Sequence, residues 1–249
     1  MGMKKFFAKC KQAIRSKKFW VGTTIVVAAL VLTIVALINY PRTTTYQMAL
    51  DNIAEARFYL KTAAADNPLG NVQLYSGIRE SDYQADGIAT PSQAFTVLSI
   101  EPKDQKLVFN GCITTEVAIN DAAPITVVLE KNPYGNNYAA DLEQALDENA
   151  VVKITGKAGD ATVGSVELTN VMPAEAIGWE TALEIACQEL KDQITTDTRV
   201  ETTTKILCDS TTVNTPYWFV SFITETGDRY FVVVDTAGKV VGTSEENAK

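Results

Sequence analysis

The chain of 249 residues contains no histidine. That absence removes Ser-His-Asp and Cys-His nucleophilic catalysis, histidine-ligated zinc and histidine proton relays. Cysteine is scarce: Cys10, Cys112, Cys187 and Cys208 are the only four, and no Cys-x-x-Cys spacing offers a thiolate zinc site. Three of them follow residue 41, and an odd number argues against a disulfide framework. One Cys187–Cys208 bridge stays open as a reading, against three small buried thiols. No G-x-S-x-G, Walker or G-x-G-x-x-G sequence occurs, and no serine beyond residue 41 has a lysine three positions on. The carboxylate pairs Asp141/Glu143, Asp147/Glu148 and Glu180/Glu184 read as solvated helix faces, with no apolar pocket legible around them to raise a pKa. No catalytic, cofactor-binding or metal-ligating residue is assigned, and the chain is read as a non-enzyme.

Acidic residues are missing from the first 41 positions, while Lys4, Lys5, Lys9, Lys11, Arg15, Lys17 and Lys18 crowd the first 18. Residues 19–40 then carry no charge at all. As a helix those 22 residues would reach roughly 33 Å, enough to cross a bilayer core. Trp20 and Tyr40 stand near the two ends, where amphipathic rings favour the interface. The positive flank predicts a cytoplasmic N-terminus, residues 1–18 as a basic tail, and a body outside the membrane. A cleaved signal peptide would have a shorter apolar run ending in a small-x-small site; Ile38-Asn39-Tyr40-Pro41 offers none. A type IV pilin would need a Gly-Phe junction and a Glu just inside the run, where Lys18-Phe19 and Thr23 stand instead. The expectation is a single-pass anchor in the cell membrane with an extracytoplasmic C-terminal body.

That body is acidic. The chain carries −8 in total and its first 18 residues +7, which leaves −15 on the remainder. Such a surface is repelled by nucleic acid and anionic lipid.

Along the body, Tyr46, Leu50, Ile53, Ala56, Leu60 and Ala64 follow a 3–4 spacing that predicts an amphipathic helix over 43–65. Asn67-Pro68 and Gly70 end it, and 66–93 reads as a turn-rich linker with one short strand near Leu74 and Ile78. Asp82, Asp86 and Gly87 lack the alternating ligands of a calcium loop. From 95 to 171 the pattern is strand-like, interrupted by helical spacing over 138–146. A helix over 178–194 and three or four short strands complete the chain.

Strands, one helix and two more strands are the order of an OB-type barrel. The segments Val108-Phe109-Asn110-Gly111-Cys112-Ile113, Leu142–Leu146, Ala150–Lys157 and Gly164–Asn170 resemble the bacterial OB-like family named tRNA_anti-like, over 94–173. The family name implies nucleic acid, yet the stretch from Pro91 to Pro173 has 5 lysines, no arginine and 11 acids, so no nucleic-acid partner is expected. Trp179–Ala186, Tyr217–Phe222 and Tyr230–Val241, ending in Val234-Asp235-Thr236-Ala237-Gly238-Lys239-Val240, resemble a PepSY domain over 174–249. That resemblance implies an extracytoplasmic module that restrains or modulates a peptidase, and it carries over no catalytic residue.

The fold class expected is therefore α+β: a transmembrane helix, an amphipathic helix, an OB-like barrel and a small helix-on-antiparallel-sheet unit. The function expected is non-catalytic protein recognition at the bacterial cell envelope, with an envelope protein or peptidase as partner and no cofactor. The alternative is a small-ligand or oligosaccharide-binding barrel with Tyr134 and Tyr138 as ligand contacts. A structural part in a secretion or division complex is a third reading.

Overall fold

The computed structural model describes residues 44–248 apart from 82–90, 121, 143 and 210–212. The basic tail and the apolar run read as an anchor lie outside the described residues. Within the described residues no helix is long and apolar enough to cross a membrane.

The fold is mostly β, which corrects the α+β expectation. Among the described residues there are two helices, α1 (Thr45–Asp51) and α2 (Trp179–Glu189), beside thirteen strands. The strands are β1 (Ile53–Thr62), β2 (Gly70–Glu80), β3 (Ser92–Pro102), β4 (Val108–Phe109), β5 (Cys112–Ile119), β6 (Ile125–Lys131) and β7 (Tyr138–Asp141). After them come β8 (Val152–Ala158), β9 (Ala161–Asn170), β10 (Val200–Asp209), β11 (Val213–Thr224), β12 (Arg229–Asp235) and β13 (Val240–Glu246).

Eight of these close on themselves in the order β1-β2-β3-β7-β6-β5-β8-β9, and β9 pairs back to β1 through Lys61↔Asn170 and Thr62↔Thr169. Every pairing in the ring is antiparallel. A closed antiparallel barrel is compatible with an OB-like fold, and closure removes the edges that an open sheet would expose. Leu74, Leu98, Ile113, Leu129 and Ile154 fill its interior.

The expected helix over 43–65 is one short helix followed by a strand. Thr44 caps α1, its hydroxyl accepting from Gln47 N, and Asn52 ends it, its amide donating to Met48 O at 2.7 Å. The 3–4 spacing that suggested a longer helix coincides with two irregularities in the strand. The register shifts between Ile53 and Glu55 against β10 and between Arg57 and Tyr59 against β2, and the buried positions fall at 53, 56, 60 and 61 rather than alternating. The predicted helix over 138–146 is likewise not formed: Tyr138–Asp141 pairs as β7, and no helix occurs among the described residues between β7 and β8. Leu142, Leu146 and Ala150 are buried there, again at a four-residue spacing. Leu142 N donates to Thr96 O, and Lys61 Nζ, almost wholly buried, donates to Glu148 O at 2.6 Å.

The C-terminal helix and sheet are not a self-standing unit either, so the expected PepSY-type domain is corrected. Strands β10 to β13 form an antiparallel extension of the barrel's own sheet, joined by parallel pairing of β1 with β10 from Ile53↔Thr202 to Arg57↔Lys205. Helix α2 lies on one face of that extension. The core beneath it takes Met48 and Ala49 from α1 and Ile53, Ala56 and Leu60 from β1, together with Leu183, Trp218, Phe222 and Val232. Strand β1 thus serves both bodies: it pairs with β10 of the extension over 53–57 and with β2 of the ring over 55–62.

Candidate interaction surface

Residues alternate across a strand, so the face of the extension opposite α2 can be read from its register. On β11 the positions turned towards α2 are Trp218, Val220 and Phe222, all buried. Tyr217 and Phe219 point the other way, as do Phe231 and Val233 on β12, and all four are half-buried. None of them belongs to either hydrophobic core. Antiparallel sheets with one solvated face usually carry polar residues there. Here that face carries rings.

Phe219 pairs in register with Val233 and stacks on Phe231, with ring centroids 5.5 Å apart and planes at 27°. Beyond β12 runs β13, which has no further strand paired to it among the described residues. Its outward positions opposite Val233 and Phe231 are Gly242 and Ser244, too small to cover the rings. The result is a hollow of about 410 Å³ lined by Phe219, Phe231, Val233, Gly242, Thr243, Ser244 and Glu246. Arg229, next to Glu246 at 4.0 Å, marks one rim.

Towards β1 the face turns polar. Thr203 and Ser221 share a hydrogen bond of 2.6 Å, and Lys205 Nζ lies 3.2 Å from Glu55 Oε2. Arg57 Nε also donates to Glu55, and its guanidinium sits 4.1 Å from the Tyr75 ring centre. Burial opposes the charge on Glu55, but the Arg57 hydrogen bond and the Arg57 and Lys205 charges outweigh it and hold the carboxyl below its ordinary pKa. The apolar hollow therefore has one ion-paired flank of fixed geometry.

The two tyrosines chosen from sequence are not brought together as a contact surface. Tyr134 is 98% exposed in the β6–β7 turn, whereas Tyr138 is buried in the barrel core. Phe219 and Phe231 were not singled out. The available signal was a strand with large apolar residues at both odd and even positions, Tyr217-Trp218-Phe219-Val220, where only one face had a predicted cover. No disulfide joins Cys187 to Cys208. Burial, then the Glu184 charge, pushes Cys187 up to about 12, so that thiol is unreactive at neutral pH. Among the described residues no group of His, Cys, Asp or Glu could hold a metal ion. No protein-family model, curated protein or solved structure matches the chain, so the resemblances drawn over 94–173 and 174–249 find no support there.

Proposed function

We propose that residues 44–248 form a protein-binding module that docks its partner on the uncovered face of the β10–β13 extension. The carrying observation is the Phe219–Phe231 stack beside the hollow left by Gly242 and Ser244. Contiguous exposed apolar surface with a polar rim is characteristic of interaction sites, and aromatic anchors in pockets supply most of the energy of small interfaces. The partner is a protein that presents an apolar side chain to the hollow from a basic surface. Charge complementarity selects that chemistry, because the body carries −15 and a second copy would meet it with like charge. The basic leader and apolar run of the sequence would present this module outside a membrane, where its partner would be an envelope protein.

The test places a photoreactive amino acid at Ser244 of the full-length chain in cells. The expected result is a discrete crosslinked protein whose yield falls at least about tenfold when Phe219 and Phe231 are both changed to Ser, equivalent to about 1.4 kcal/mol. Those side chains serve neither core, so the variant should stay folded, with loss of the ring pair lowering the unfolding midpoint by only several degrees. An unchanged crosslinking pattern in the double variant, or a crosslink to a second copy of the chain, overturns the reading.

A further inference from the structure

A second concavity lies on the other side of the molecule's shared strand, where the chain passes from β9 into α2. It is a cleft of about 440 Å³, within the range of small-ligand sites. Phe58 and Tyr59 of β1, Trp179 at the start of α2 and Trp218 are its aromatic lining. Phe58 and Trp179 face one another at 6.1 Å between ring centroids with 20° between planes, and Tyr59 meets Phe58 edge-on at 4.8 Å. The Trp218 indole N–H is already used, donating to Ile177 O at 3.1 Å, so it fixes the loop 172–178 and offers its ring to the cleft.

The charged side chains lining this aromatic cleft are Glu148 and Glu180, and no basic side chain is among them. Burial, then the charges of Glu148, Asp147 and Glu180, push the Tyr59 hydroxyl up. Two positive features stand nearby. Lys61 is turned to the backbone oxygen of Glu148, below the surface. The N-terminus of α2 is met by Glu180, whose carboxylate oxygen lies 3.4 Å from where a Cβ on Gly178 would sit. Three carboxylates against one lysine leave the cleft negative. Aromatic faces and carboxylates together recognise a cation whose charge is spread or carried on an alkyl stem, since ring quadrupoles attract such cations once they are partly desolvated.

We infer that the cleft beside the stacked Phe58 and Trp179 rings, lined also by Tyr59, binds an organic ammonium group. This site shares no residue with the β11–β13 hollow and stands or falls independently of it. An ammonium of this kind has two sources, a small quaternary amine or head group and a lysine side chain.

The full-length protein with Trp20→Phe leaves Trp179 and Trp218 as its only indoles, both at the cleft. Titration with choline, with its uncharged isostere 3,3-dimethylbutanol and with Nα-acetyl-lysine amide reads binding from their emission. The expected result is saturable quenching by an ammonium in the millimolar range, at least about tenfold stronger than by the neutral isostere. Paired Glu148→Gln and Glu180→Gln changes, both at exposed positions, should erase that tenfold preference in a protein that stays folded, with the loss of Glu180 from the α2 N-terminus lowering the unfolding midpoint by no more than about 4 °C, and Trp179→Leu should abolish binding. Preference for choline assigns a small quaternary ligand, and preference for the lysine amide assigns a lysine of another protein. No saturation up to roughly 100 mM, equal binding of the neutral isostere, or an unaltered preference in the double Gln variant overturns the inference.

Discussion

At the residue scale, short-range chemistry was legible and its outcome can be checked atom by atom. Asp235-Thr236-Ala237-Gly238-Lys239 reads as a turn in which Asp caps and Gly takes positive φ. The structure has Asp235 Oδ1 accepting from Ala237 N and Lys239 N, and Gly238 at φ 89°. Such motifs are readable because every partner lies within five residues. Glu55 is the opposite case: its cations are Arg57, two residues away, and Lys205, which only the β1–β10 pairing brings near. Its depressed pKa carries a stability prediction with a definite sign. Stabilisation is fully present above the unfolded Glu value of about 4.3 and is lost as pH falls through the lower folded value. Glu55→Gln should lower the midpoint of thermal unfolding at pH 7 by about 2–4 °C, for a contribution of about 1 kcal/mol. The gap between variant and parent should narrow steadily below about pH 4. Unfolding curves from pH 7 to 2 provide the measurement, and a gap that stays constant across that range contradicts the assignment.

At the element scale, the strands that face one core and one solvent, such as β5 and β8, were legible from alternation. Strand β1 was not. It pairs with β2 along one edge and with β10 and then β9 along the other, and register shifts between Ile53 and Glu55 and between Arg57 and Tyr59 interrupt it, so its apolar positions lose the period of two on which strand reading depends. Residues 142–150 were misread for a related reason: a segment with no helix among its described residues also buries every fourth one, at Leu142, Leu146 and Ala150. The uncovered aromatic face of the extension was hidden because apolar residues on both sides of β11 imply a cover on both, and the sequence does not reveal which side lacks one. The bulge in β1 has a structural counterpart on β2. A Cβ on Gly77 would lie 1.8 Å from Ala56 O, a backbone atom that cannot rotate away. Gly77→Ala should therefore force β2 from β1 at the point where β1 changes partners, and destabilise by about 3 kcal/mol. Chemical denaturation checks this; a loss below about 0.5 kcal/mol, the scale of an ordinary surface change, would show that the bulge does not need the close approach.

At the scale of the whole molecule, closure of the ring and the sharing of β1 are non-local facts that no window of sequence contains. They have a cooperative consequence. Had 94–173 and 174–249 been separate domains, each would unfold on its own. With β1 hydrogen-bonded to both bodies and contributing Ile53, Ala56 and Leu60 to the core under α2, neither can lose its packing without disturbing the strand that closes the other. Leu183→Ala, in the core beneath α2, and Ile113→Ala, in the barrel, both remove fully buried side chains and should each cost about 3 kcal/mol. No residue is shared between the two core clusters, so the double variant should lose the sum of the two within about 0.5 kcal/mol. Each change should move a single transition, seen identically in the near-ultraviolet signal of Trp218 and in hydrogen exchange of barrel amides on β5 and β8. If Leu183→Ala lowers the Trp218 transition while the barrel amides keep their protection, the extension melts alone, and β1 is a hinge between two bodies rather than the strand that makes them one.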